Sequence, residues 1–250
     1  MSPRPTRSGF VALAGRPNVG KSTLANAVVG AKVAIVSDKP QTTRRAIRGV
    51  ANGPDWQLVL VDLPGVQRPR DALTERMQRR VEHELDDADG CLFVVNAEEV
   101  FPVSAATGSG VTPLVDSLVS LLPEGPFYFE PEQRSDQTES VLLAELVREQ
   151  VLARTREEVP HSVEVVIEGL EQTETPRGEL IRIDAVILAE TESQKRILIG
   201  AGGQMVKSIG IASRRAIERE LGSRVHLDLK VRVRRHWRAD ERMLDRLGIE

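Results

Sequence analysis

Eight residues, GRPNVGKS from Gly15 to Ser22, match the spacing G-x-x-x-x-G-K-[ST]. They follow an apolar strand pattern and open a helical one, which is the context such a match needs. In that arrangement the loop residues Gly15, Arg16, Pro17, Asn18, Val19 and Gly20 turn backbone N–H groups toward phosphate oxygens. The helix start behind them adds a dipole that favours negative charge. Lys21 would neutralise the β- and γ-phosphates of a nucleotide and the Ser22 hydroxyl would ligate Mg²⁺, with Thr23 counted in the same set. Downstream, LVLVDLPG puts Asp62 at the end of a hydrophobic strand, where a carboxylate can hold the same metal, usually through water. The turn Leu63, Pro64, Gly65 follows, and Gly65 can offer its N–H to the γ-phosphate. Between the two lies DKPQTTRR, a polar loop whose Thr43 or Thr42 could complete the metal shell and act as a switch.

The elements that must position these residues are legible as alternation. FVALAG, KSTLANAVVG, WQLVLVDLPG, RDALTERMQRRVEHELDDADG and CLFVVN alternate strand and helix patterns, which predicts a parallel α/β sheet. In the fourth segment Leu73, Met77, Val81, Leu85 and Ala88 recur at helical spacing as one buried stripe. Prolines and polar residues over 123–138 predict a linker, and its aromatics Phe127, Tyr128 and Phe129 are read as packing between domains. Beyond it the pattern predicts a helix over about 139–157, strands at HSVEVVIEGL and LIRIDAVILAE, two helical pieces around IGAGG, a strand at RVHLDLKVRVR and a short last helix. That is a small α+β domain.

Composition is that of an ordinary globular protein: 250 residues, 40% hydrophobic and 28% charged, enough for one large domain or two small ones. Cys91 is the single cysteine, so no intrachain disulfide is possible, and a reducing, cytosolic setting is expected with Cys91 in the core. No stretch approaches the roughly 18 uninterrupted apolar residues of a membrane span. The net charge of −3 is unevenly spread. Basic and acidic residues number 14 and 14 over 1–129, 6 and 16 over 130–193, and 14 and 7 over 194–250. The last segment is an electrostatic footprint suited to a polyanion such as nucleic acid.

Together GRPNVGKSTL, VSDKPQTTRR, VDLPGV and SAATG resemble the guanine-nucleotide motifs of the bacterial Era family of GTPases. ILIGAGGQMVKSIG resembles the G-x-x-G loop of that family's C-terminal KH domain, and VRVRRHWRADERMLDRLG its chain end. The resemblance implies an α/β P-loop GTPase-like domain over 1–122, the linker at 123–138, and an α+β, type II-like KH domain over 139–250 with a basic end. It implies GTP and GDP as ligands with Mg²⁺. Thr43 would be the switch threonine, Asp62 the metal-site aspartate, and Ser104 and Ala105 the loop whose backbone touches guanine. The implied partners are the 3′ region of 16S ribosomal RNA and the 30S subunit, during maturation of that subunit. A monomer in the cytoplasm, with peripheral contact at the inner face of the cell membrane, belongs to the same expectation. In a KH domain the loop Gly200, Ala201, Gly202, Gly203 grips about four single-stranded nucleotides, with bases in an adjacent apolar groove. Ile197, Ile199, Val206 and Ile209 would supply the apolar contacts, and Lys207, Lys230, Arg232, Arg234, Arg235 and Arg238 are candidate phosphate partners. Trp237 would stack on a base or pack on the last helix.

The chain departs from the family pattern in three places. The first is the Asn-Lys-x-Asp element, expected between CLFVVN and VFPVSAATG. NAEE, with Glu99 in the carboxylate position, is a degenerate match that falls one strand too early. A crossover between parallel strands takes a dozen or more residues, and only Ala97, Glu98 and Glu99 are present, so a helix, a strand and a second helix are expected to be missing near 97–100. Either 91–96 and 100–103 form a hairpin, putting SAATG about 15–20 Å from the phosphate-binding end, or the path is irregular and leaves a gap in the sheet. Sites built on such paired polar groups discriminate by about 10⁴–10⁵, so base selectivity is at stake. Second, Val66 stands where many small GTPases have a water-orienting glutamine, leaving no evident catalytic side chain and implying slow turnover. Third, Ala201 replaces a lysine usual in the family loop, a change of roughly 0.7 in the salt slope. The competing reading is an RNA-binding KH module attached to a nucleotide domain without guanine specificity or effective hydrolysis.

Overall fold

A computed structural model describes residues 5–39, 41–65, 68–95, 102–175 and 178–249. It divides into two compact units, the first running to Gln137 and taking in the chain end from Gly248, the second running Thr138–Leu247.

In the first unit β1 (Arg7–Ala14) lies between β3 (Trp56–Asp62) and β4 (Gly90–Phe93), parallel to both. β2 (Ile47–Asn52) pairs antiparallel with β3, so the order is β2-β3-β1-β4. The central strands are apolar on both faces because helices cover both. On one face Leu13, Leu58 and Leu60 pack with Leu24 and Ala25 of α1 (Lys21–Val29) and Leu114 and Leu118 of α3 (Val111–Leu121). On the other, Ala12, Val61 and Leu63 pack with Val81 of α2 (Ala72–Asp87). Leu73, Met77 and Val81 form the buried stripe that the spacing predicts, and Leu85 and Ala88 extend it half-buried. A capping box starts α2: the Thr74 N–H donates to Asp71 Oδ1 at 2.9 Å and the Asp71 N–H to Thr74 Oγ1 at 3.0 Å.

Four expectations need correction here. β2 has no counterpart in the sequence reading, because Arg48 and Gly49 interrupt its apolar pattern. Cys91 is exposed rather than in the core. Among the described residues β4 pairs only with β1, so the sheet ends there; Leu92 and Val94 face the α1–α3 core while Cys91 and the 66%-exposed Phe93 face outward. The segment 123–137 does not run free as a linker but is hydrogen-bonded along its own unit. Ser8 N–H donates to Pro123 O at 3.1 Å, Val50 N–H to Arg134 O at 2.9 Å, and Arg48 Nη1 to Asp136 Oδ2 at 3.1 Å. The aromatics expected between domains serve this unit too. Tyr128 and Phe129 N–H groups donate to Gln57 Oε1 at 2.7 and 2.9 Å, and the Tyr128 ring lies 4.8 Å from that of Phe10.

The second unit is α4 (Glu139–Arg154), α5 (Val159–Ser162), β5 (Glu164–Thr175), β6 (Gly178–Ala189), α6 (Glu192–Ile199), α7 (Gln204–Leu221), β7 (Arg224–Val233) and α8 (Glu241–Arg246). The sheet order is β5-β6-β7, with β5 antiparallel and β7 parallel to β6, so α6 and α7 form the crossover that a parallel pair requires. Leu146, Val147, Ile183, Ile187, Leu198, Ile209 and Ile217 make its core. Arg148 is fully buried, its Nη2 2.5 Å from Glu145 Oε2 and its Nε 3.9 Å from Glu164 Oε1. Burial disfavours its charge, yet Glu145 and Glu164 outweigh that and hold the guanidinium above its ordinary pKa. Trp237 is buried and donates from Nε1 to Ser162 O at 3.0 Å, so it is part of the packing and not a stacking platform.

Candidate functional site

The phosphate loop links β1 to α1. Asn18 (φ 60°) and Gly20 (φ 101°) take left-handed conformations that turn the chain back on itself, and Asn18 Nδ2 donates to Asp38 O at 2.7 Å, joining the loop to the segment before Thr43. α1 begins with no side-chain cap and no acidic residue in its first turn. Its leading N–H groups and positive dipole end are therefore not taken up by an acidic side chain of the helix's own first turn. Lys21 is buried, and its Nζ donates to Gly15 O at 3.1 Å and Arg16 O at 3.0 Å. Burial lowers the pKa of its ammonium, against the pull of Asp62.

Three candidate metal residues from distant parts of the chain meet beside it. Ser22 Oγ donates to Asp62 Oδ2 at 2.6 Å, Thr43 Oγ1 lies 3.2 Å from the same oxygen, and the two hydroxyls are 3.1 Å apart. Asp62 is completely buried at the end of β3. Burial pushes its carboxyl pKa up to about 6, although bonds from Ser22 and Thr43 and the charge on Lys21 pull it down. Its Oδ1 has no hydrogen-bond partner among the described residues. A desolvated carboxylate with an unused oxygen beside two hydroxyls is an all-oxygen donor set, the chemistry that fits a hard divalent cation such as Mg²⁺. Thr42 also lines the cleft, with its Oγ1 donating to Lys39 O at 2.6 Å, but of the two threonines the sequence left open it is Thr43 whose hydroxyl meets Asp62 and Ser22.

Pro17, Asn18, Gly20 to Thr23, Asp38, Thr43 and Gly65 line one cleft of about 370 Å³. Gly65 closes on the loop so tightly that a Cβ there would sit 2.7 Å from Pro17. Leu63 and Pro64 are buried, so they can contribute to the cleft only through backbone. Val66 and the stretch Asn96–Glu99 lie outside the described residues. Ser104 and Ala105 are not at the far edge, as a hairpin would have put them. They line a cleft together with Gly20 and Thr23, while the chain between 95 and 102 lies outside the described residues. A residue the sequence reading missed is Asn26: its Oδ1 accepts from the Val33 and Ala34 N–H groups at 2.9 Å each, anchoring the start of the Thr43 loop.

In the second unit GAGG joins α6 to α7. Gly202 (φ 57°) and Gly203 (φ 77°) are left-handed, and a Cβ on either would meet nothing within 4 Å. The outer side of the loop is open, and α7 starts there without a side-chain cap. Among the apolar residues expected beside it, Ile197 is 49% exposed, whereas Ile209 is wholly in the core and cannot touch a ligand. α6 and α7 both pack against β7, which carries Lys230 and Arg232. Lys207 and Arg235 are exposed. Lys230 pairs with Asp228 at 2.8 Å, Arg232 with Glu168, and Arg234 with Asp240 at 2.8 Å. Such exposed, solvent-screened pairs are weak, so a phosphate can displace them at little cost.

Comparison with known proteins places both sites in a wider frame. A family model described as a 50S ribosome-binding GTPase matches residues 10–122, and one for the KH domain matches residues 158–238. The GTPase Era of Carboxydothermus hydrogenoformans is 41% identical over 282 aligned positions, covering 93% of this chain and 94% of the relative. The GTPase Era of Mycobacterium tuberculosis H37Rv is 40% identical over 295 positions, covering 96% and 98%. In the first alignment 93% of 250 residues is about 232, so about 50 of the 282 positions have no counterpart here. Among solved structures, a variant of Aquifex aeolicus Era bound to GDP·AlF₄⁻ superposes with a TM-score of 0.91 at 30% identity, covering 98% of this chain and 99% of that one. An Era complex with MgGDPNP and nucleotides 1506–1542 of 16S ribosomal RNA gives 0.90 at 30% identity, with the same coverage.

Proposed function

The chain belongs to the Era family of GTPases, and from that we propose that it binds and hydrolyses GTP in the first unit and holds the 3′ region of 16S ribosomal RNA on the second. Its role is in 16S rRNA processing and 30S subunit biogenesis. The observation that carries the reading is the meeting of Ser22, Thr43 and Asp62 beside Lys21, supported by the solved relatives' GDP·AlF₄⁻, MgGDPNP and 16S rRNA ligands.

Lys21 exchanges the carbonyls of Gly15 and Arg16 for β- and γ-phosphate oxygens, and the α1 amides complete the cradle. Ser22, Thr43 and Asp62 would hold Mg²⁺, which when bound neutralises charge on the β- and γ-phosphates. Because Ser22 and Thr43 share one Asp62 oxygen, occupancy there ties the Thr43 loop to the phosphate loop. Gly65 brings a backbone N–H to the same cleft. With valine at position 66 the chain lacks a water-orienting glutamine there, and turnover is slow. On this reading the protein is a cytoplasmic monomer. Peripheral membrane contact rests on the family resemblance alone.

The second reading, an RNA-binding module on a nucleotide domain that no longer hydrolyses GTP, is favoured by the roughly 50 positions without counterpart, a length that suits a helix, a strand and a second helix. Phosphate release from GTP decides between them. Slow Mg²⁺-dependent release that Lys21→Ala abolishes, with RNA affinity unchanged, supports the first. Release indistinguishable from that of Lys21→Ala supports the second.

A further inference from the structure

Asp136 and Gln137 close the long segment of the first unit, and the second unit begins at the next residue, Thr138. These two residues straddle the Thr43 loop. Gln137 Nε2 donates to Val33 O at 2.6 Å, where the loop begins, and the Val33 N–H donates to Asn26 Oδ1 of α1 at 2.9 Å. Where the loop enters β2, the Arg48 N–H donates to Asp136 Oδ1 and Arg48 Nη1 to Asp136 Oδ2, both at 3.1 Å. The Asp136 N–H donates in turn to Arg48 O at 3.3 Å. Arg48 Nη2 also reaches the buried Glu84 of α2, 2.7 Å from its Oε1.

Two features suit this arrangement to more than one state. Gln137 Oε1 is buried without a hydrogen-bond partner among the described residues, a costly position that a shift of the loop can relieve. Within the loop Gln41 holds a left-handed backbone, φ 59°, which glutamine seldom adopts. Thr43 lies between the two anchor points, with its hydroxyl 3.2 Å from Asp62 Oδ2. A ligand shifts an equilibrium only through its differential contact with the two states, and a γ-phosphate with its metal supplies that contact at Thr43. We propose that Asp136 and Gln137 are positioning residues that sense the Thr43 loop and make the RNA affinity of the second unit depend on whether the nucleotide is a diphosphate or a triphosphate. The inference rests on the nucleotide and RNA readings above and names the regulation that joins them.

The test is a linkage cycle on the full chain: dissociation constants for an RNA of nucleotides 1506–1542 of 16S ribosomal RNA, measured with MgGDP and with MgGDPNP. It is run on the parent, Gln137→Leu, Asp136→Asn and a control in the same segment, Gln133→Ala, which removes a bond to Ser135 O and leaves the loop's anchors in place. Circular dichroism shows that each variant is folded, and should one of the first two fail to fold, the other carries the test. In the parent the two RNA constants are expected to differ by about fivefold or more, and RNA must shift the preference for MgGDPNP over MgGDP by the same factor. In Gln137→Leu and Asp136→Asn the ratio is expected to fall to within about twofold of one, with MgGDPNP affinity in the absence of RNA within about threefold of the parent. Gln133→Ala keeps the parent's ratio. Equal RNA constants in the parent, or a ratio that survives in both loop-anchor variants, overturns the inference while leaving both binding readings intact. Loss of the ratio in Gln133→Ala also overturns it, since general loosening of the segment then accounts for the effect. A parent that binds no nucleotide, or no RNA, fails in the titration of that ligand and overturns that reading together with the inference.

Discussion

Asp62 and Ser22 meet at 2.6 Å between Oδ2 and Oγ, while the other carboxylate oxygen of Asp62 is buried without a partner among the described residues. That relationship stores an unfavourable charge in the metal-free protein, because burial raises the Asp62 pKa from 3.8 to about 6. Between those two values the folded chain keeps a proton that the unfolded chain releases. Stability attributable to this group therefore falls as pH rises from about 4 to about 6 and stays low above it, by about 3 kcal/mol at neutrality. In EDTA, Asp62→Asn melts at the same temperature as the parent near pH 4 and several degrees higher at pH 7. It also loses the extra stability that Mg²⁺ and GTP together confer. Equal melting temperatures at pH 7 would show that Asp62 carries no such penalty.

Thr43 and Thr42 give a paired prediction, since they are adjacent in sequence and face different partners. Thr43→Ala removes a hydroxyl within 3.2 Å of Asp62 and is expected to weaken MgGTP at least tenfold while leaving GDP nearly unchanged. Thr42→Ala removes a bond to Lys39 O, worth about 1 kcal/mol, and should alter the two nucleotides alike. Fluorescent-nucleotide titrations with both variants check the contrast.

The buried Arg148 predicts where the second unit is most fragile. Arg148→Ala strands Glu145 and Glu164 in the interior, a change that costs about 3–5 kcal/mol. In a Trp56→Phe background the remaining tryptophan, buried Trp237, reports on this unit alone, and its urea midpoint should drop sharply in the variant. A midpoint shift worth under 1 kcal/mol would mean that water reaches the triad.

The parts legible in the sequence are those specified by short stretches of backbone. GRPNVGKS and GAGG carry their own geometry, left-handed turns at uncapped helix starts, and the α2 stripe declares its buried face by period alone. What could not be read depends on partners far along the chain. The exposure of Cys91 follows from which strand ends the sheet, and the anchoring of 123–137 from backbone groups on Arg48, Val50 and Ser8. The choice of Thr43 over Thr42 depends on how a loop lands on Asp62. β2 offered one usable signal, the NGPD turn before Trp56, where the Gly53 N–H donates to Trp56 O at 2.8 Å.

RNA binding by the second unit is expected to run through the GAGG loop, and the most direct measurement is the affinity of the full chain and of Gly203→Asp for an RNA spanning nucleotides 1506–1542 of 16S ribosomal RNA at two salt concentrations. Gly203 sits at φ 77° with open space beyond its Cα, so aspartate fits sterically, tolerates the left-handed backbone better than most residues, and places a negative charge where a phosphate must approach. The predicted result is a folded variant that binds at least tenfold more weakly at both salts. Unchanged affinity in a folded Gly203→Asp protein would contradict the account and move the RNA surface to the basic stretch from Arg232 to Arg238.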